Sequence, residues 1–169
     1  MVKKLPYLLS VLGMLGGVLI AILFGADEEI FKKRIQDGLA KNEKVQAIQD
    51  PAKKAETLKS EEEKNWRYYQ RYHFHANGVS SMALALLVLL AFVQTSTKQK
   101  LLVSYLLSIG GFLYPFVWLF AALYGPEMGR GAAKEHFAYL GYMGGVFLVG
   151  VMWSLYLVLA RPLKTPLAE

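Results

Sequence analysis

Cysteine is absent from this chain of 169 residues, and that absence removes disulfides, thioether-linked haem c and iron–sulfur clusters together. Any cofactor must be held by histidine, by oxygen ligands or by packing. Histidine is itself scarce: the three copies are His73, His75 and His136. Asp, Glu, Lys and Arg are missing from four apolar stretches, residues 5–24, 74–93, 101–124 and 137–160. A proton pump or ion carrier needs an ionisable group in mid-membrane, and no spanning stretch carries a carboxylate. There is no glycine-rich phosphate loop and no nucleophile with an assignable base.

What is present is apolar surface: 54% hydrophobic residues and a mean hydropathy of +0.30. A soluble domain could not hide so much of it, so the composition predicts an integral membrane protein in contact with the lipid bilayer. Each stretch reaches the ~20 residues that cross ~30 Å of hydrocarbon at ~1.5 Å per residue. The expected architecture is all-α: one four-helix membrane domain over 1–169, up-down-up-down, with short amphipathic helices in the long loop 26–72. Phe24 is too large for a signal-peptide cleavage site, so the first stretch reads as a retained helix.

Charge supplies the orientation. Lys3, Lys4, Lys98, Lys100, Arg161 and Lys164 lie on the side of the termini and the second loop, opposed only by Glu169. Short loops with a basic excess stay in the cytoplasm, which puts both termini inside and the long loop and histidines outside a bacterial inner membrane. Topology thereby accounts for much of the net charge of +6, and nucleic acid is not expected as a partner.

In the long loop, Asp27 can cap a helix with Ile30, Phe31, Ile35 and Leu39 as its apolar stripe, and Asp50-Pro51 resembles a second start. Such helices would lie along the membrane surface, cap the bundle or dock a partner. Ser60 and Glu63 match a capping box, so the second long helix is expected to begin near Glu61. Gly110, Gly111 and Pro115 predict a bend in the third. Gly13, Gly16 and Gly17 in the first allow close helix packing.

His73 and His75 open the second spanning segment and His136 the fourth, on one side of the bilayer. Two such helices, diagonal in a four-helix bundle, can hold one haem iron between imidazoles. The expectation is haem b ligated by His136 and by His75, with His73 as the alternative. Arg71, Arg130 and Lys134 would meet the propionates, and Asn77 belongs to the same polar cluster. Successive residues step ~100° round a helix, so His73 and His75 stand ~200° apart and cannot share a metal. Gly78 beside His75 leaves room for a porphyrin edge. Against a shared iron, His136 stands ~36 Å above the inner end of its helix and His75 ~27 Å above that of its own.

The function so predicted is a small b-type cytochrome-like subunit carrying electrons between quinol and a partner complex, with a quinone site beside the haem. The alternative is a cofactor-free accessory subunit, packed against other membrane subunits or its own copies. A zinc or copper site of His73, Glu135 and His136 is a lesser variant. Basic residues followed by His75-Ala76-Asn77 resemble the membrane-associated eicosanoid and glutathione metabolism proteins. That resemblance implies glutathione binding by Arg67, Arg71 and Asn77, although the arginine-to-asparagine spacing is longer than in that family and its downstream glutamate is absent. His73, His75, Asn77 and Gly78 are similar to the histidine-rich helix of haem-copper and nitric oxide reductases, which implies haem, without those enzymes' histidines on further helices.

Overall fold

Pro6 in the first turn costs no hydrogen bond, and an unbroken apolar run then carries α1 over Leu5–Ala26. In the computed structural model, which describes residues 3–164, helices follow one another with short connections. Four helical runs are long and apolar enough to cross a membrane: α1 and the runs Pro51–Phe92, Thr97–Met128 and Ala138–Ala160.

α4 (Pro51–Phe92) is one helix of 42 residues, ~60 Å long and about twice the hydrocarbon thickness. The start expected near Glu61 is therefore corrected. Asp50 accepts from the amides of Ala52 and Lys53 at 2.9 and 3.3 Å and caps the helix ten residues earlier. From Ala52 to Tyr72 no glycine or proline interrupts a run rich in strong helix formers. Ser60 sits mid-helix, where the backbone amides that a cap would satisfy are already paired.

α2 (Glu29–Lys41) and α3 (Glu43–Gln46) fold back on this extension. Phe31, Ile35 and Leu39 are buried and Ile30 is exposed. Phe31 meets Trp66 and Tyr69 of α4 at ring-centroid distances of 6.0 and 4.9 Å. The Asn42 side chain caps α3 and donates to the Pro126 carbonyl at 2.8 Å. Gly38 lies so close to Pro126 that an added Cβ would come within 2.6 Å of its ring.

The third run is interrupted at Tyr114-Pro115, between α5 (Thr97–Leu113) and α6 (Phe116–Met128), where proline's missing amide hydrogen opens the hydrogen-bond ladder while both residues keep helical dihedrals. Gly129, at φ 88°, turns the chain into α7 (Arg130–His136). Phe137 then separates α7 from α8 (Ala138–Ala160). His136 therefore closes a short helix and does not open the fourth long one.

Without water between helices, association rests on close packing, and glycine supplies it. Gly13, Gly16 and Gly17 of α1 face Ser80, Tyr72 and Asn77 of α4. Gly110 lies under the α8 backbone, where a Cβ would stand 2.5 Å from the Phe147 nitrogen. α1, α4 and α5 form a three-sided core, and α8 lies along the outside of α5, meeting α4 narrowly. Tyr7 of α1 donates to the Leu87 carbonyl near the end of α4, and Leu163 after α8 bridges Val93 at that same end.

Gly110→Ala is expected to lower the unfolding midpoint in detergent by several degrees, since overpacking against backbone costs on the order of 1–3 kcal/mol. Gly145→Ala, where nothing lies within 4 Å, should not lower it, since alanine is the better helix former. Equal midpoints for the two variants would contradict the backbone contact between α5 and α8.

Candidate functional site

The polar residues of α4 divide by angle round the helix. His73 faces α1: its Nδ1 lies 2.8 Å from the Gly17 carbonyl and 3.1 Å from the Asn77 amide group. A carbonyl only accepts, so Nδ1 carries the proton and donates to Gly17, which leaves no lone pair there for the Asn77 Nδ2 donor; the Asn77 contact is proximity and not a second hydrogen bond. The bond to Gly17 joins α1 to α4 at the place where Gly17 brings the backbones together.

His75 faces the opposite way. Its Nδ1 lies 2.7 Å from the Arg71 carbonyl one turn earlier, so again Nδ1 donates, and Nε2 of the neutral ring keeps its lone pair. The ring packs on Tyr114 and Trp118 at centroid distances of 5.4 and 5.8 Å. Tyr114 also fills the space beside Gly144 of α8, where a Cβ would come within 3.0 Å of its ring. The imidazole thus stands beside the narrow α4–α8 contact, with Tyr114 as the floor between the helices. Gly78, one turn further along α4, has nothing within 4 Å of where a side chain would start.

Above His75 the Arg71 guanidinium lies over the rings of Trp118 and Tyr68, 4.9 and 5.5 Å from their centroids, a cation–π arrangement that orients the charge without neutralising it. The Trp118 Nε1 is buried without a hydrogen-bond partner. Next comes an ion pair: Arg130 donates from Nε and from an Nη to the two Glu61 oxygens at 2.7 and 3.1 Å. Asn65 is fully buried and donates to the Glu61 carbonyl at 2.8 Å, leaving its own Oδ1 unpartnered over Gly125. The hydrogen bond from Arg130 holds the Glu61 carboxyl below its ordinary 4.5, against the opposing effect of burial.

His136 is elsewhere. It is exposed, its ring leans on Phe137 at 4.8 Å, and Phe137 packs on Phe120 and Tyr124 at 5.1 and 5.3 Å. Residue 120 lies ~200° round α6 from Trp118, so this aromatic contact is on the far side of α6 from His75. Lys134 is exposed on α7, and Arg130 is engaged by Glu61. The structure therefore groups His75 with Arg71, His73 with Asn77 and Arg130 with Glu61; it does not bring His136 or Lys134 into contact with His75. Among the described residues no three His, Asp or Glu side chains gather as a metal site, so His73, Glu135 and His136 are not assembled into one. Arg71 and Asn77 point to different neighbours, α6 and α1, and do not converge as the glutathione resemblance implies.

Tyr114, Trp118, Glu61 and Asn65 join the site only in three dimensions. The four-residue spacing of Tyr114 and Trp118 was a visible helix-face signal; nothing in the sequence pairs Glu61 with Arg130. No family model matches the chain, and no curated protein or solved structure does either.

A carboxyl depressed in the folded state stabilises above its ordinary value, and the contribution is lost as pH falls through the folded one. The pair is about one-quarter exposed, with side-chain exposures of 29% and 24%, and water screening limits it to about 1 kcal/mol. Glu61→Gln should therefore speed hydrogen exchange of the α7 amides several-fold at pH 7, and the difference from wild type should disappear only as pH falls from the ordinary 4.5 through the lowered folded value. A difference that persists at low pH would show that charge is not what holds α7.

Proposed function

We propose that the chain is a four-span subunit of a bacterial inner membrane, up-down-up-down with both termini cytoplasmic, which holds haem b on its outer side through His75. The Tyr7–Leu87 and Val93–Leu163 contacts support this topology, because they draw the start of α1 and the ends of α4 and α8 to one basic end. One observation carries the haem reading. The bond from His75 Nδ1 to the Arg71 carbonyl, 2.7 Å, fixes the tautomer that leaves Nε2 free for iron, the outer-shell arrangement typical of ligating imidazoles.

The surroundings fit the group. Gly78 leaves open space beside the ligand, Tyr114 and Trp118 supply flat apolar walls, and Arg71 offers donors to propionate oxygens. This chain then gives the iron one ligand, since His136 packs on the other side of α6. Any further ligand to a bound haem would come from a partner subunit, a second copy or a small molecule. A bound haem would supply one-electron transfer between quinol and a partner complex, and this chain's residues would orient it.

A cofactor-free accessory subunit is the second reading. It is favoured by the apolar surface of α8, where Leu148, Val149, Met152 and Leu155 are all more than half exposed.

Purified protein expressed with ample haem separates the two in a reduced-minus-oxidised visible spectrum. We expect a b-type α-band that His75→Ala abolishes and that His73→Ala and His136→Ala retain. Loss of the band in His136→Ala alone would return that residue to the iron. A featureless wild-type spectrum would remove haem and leave the accessory role.

A further inference from the structure

At the other end of the bundle a cavity of about 260 Å³ lies between the start of α1, the end of α4 and the start of α5. Its polar side carries Lys3, Lys100, Thr97 and Ser104; its apolar side carries Leu87, Leu90, Leu101 and Pro6. We propose that this cavity binds an anionic phospholipid of the cytoplasmic leaflet, with the headgroup phosphate between Lys3 and Lys100 and the upper acyl chain against the leucines.

Charge selects an anion. Lys3, Lys4, Lys98, Lys100, Arg161 and Lys164 belong to this end, and its described residues include no carboxylate to neutralise them. The Lys100 ammonium spends one N–H on the Ala91 carbonyl at 3.1 Å, which orients it beside the end of α4 and leaves two donors for a phosphate. Ser104 and Thr97 add hydroxyls. Tyr7 donates to the Leu87 carbonyl, so its ring closes the wall and contributes no charge.

The apolar half selects an amphiphile over a free anion. Leu87, Leu90 and Leu101 gain nothing from inorganic phosphate, whereas an acyl chain replaces water over them. Basic pockets between membrane helices on the cytoplasmic side suit anionic headgroups for this combination of reasons. The inference rests on the membrane-spanning reading and on the proposed orientation, and is independent of haem.

Delipidated full-length protein in neutral detergent is titrated with dioleoyl phosphatidylglycerol, dioleoyl phosphatidylcholine and inorganic phosphate, and binding is read by native mass spectrometry. Phosphatidylglycerol should bind at least tenfold more tightly than phosphatidylcholine, and phosphate at millimolar levels should not displace it. The Lys3→Gln/Lys100→Gln double variant should lose at least tenfold. Lys98→Gln/Arg161→Gln removes equal charge from residues that do not line the cavity and should lose less than threefold. Equal losses in the two variants, equal binding of both lipids, or displacement by phosphate would each overturn the proposal. If the cavity variant fails to fold, a phosphatidylglycerol with a diazirine near its headgroup decides on wild type: crosslinks concentrated in 3–7 and 97–104 support the site, and crosslinks spread along the lipid-facing helices refute it.

Discussion

The continuity of α4 is the constraint from which the rest follows. One helix of 42 residues spans both hydrophobic clusters: its aromatic residues Tyr68, Tyr69 and Tyr72 belong to one, and Ala83, Leu87 and Leu90 to the other. A hydrogen-bonded helix has no cheap hinge, so elements packed on its two ends share one frame. α2 and α6 read that frame at the end beyond the apolar segment, and α1 and α5 read it within the segment. The Asp50 cap, far from any candidate ligand, sets where the extension starts.

Helices embedded in lipid gain little from hiding apolar surface, because the surroundings are equally apolar. The interfaces here answer with backbone approach and a few polar contacts. Gly17 lets α1 come close enough for its carbonyl to accept from His73, and Gly110 lets α5 come under α8. His73 is thereby a joint between helices, while His75, two residues on, is directed at the aromatic wall of α6. Two histidines in one tripeptide have different work because ~200° of helix separates them.

The end opposite the chain's basic end adds an electrostatic layer to this packing. Glu61 and Arg130 join α4 to α7 across a turn that only Gly129, at φ 88°, adopts without strain. Arg71 is held by ring faces and remains available to an anion, whereas Arg130 is already paired. Two arginines that look equivalent in the sequence thus differ in what they can still bind.

Much was legible from sequence alone. The four apolar runs, the interruption at Pro115 and the packing role of the α1 glycines follow from hydropathy, proline chemistry and side-chain size, properties of consecutive residues that do not depend on neighbours. The lack of cysteine likewise removed whole classes of cofactor. Tertiary structure decided the rest. It merged the two candidate starts at Asp50 and Ser60 into one helix, ended α7 at His136 and sent that residue to the far side of α6, and matched Glu61 with Arg130. These outcomes depend on angle round a helix and on register between helices, and neither is set until distant segments pack against each other.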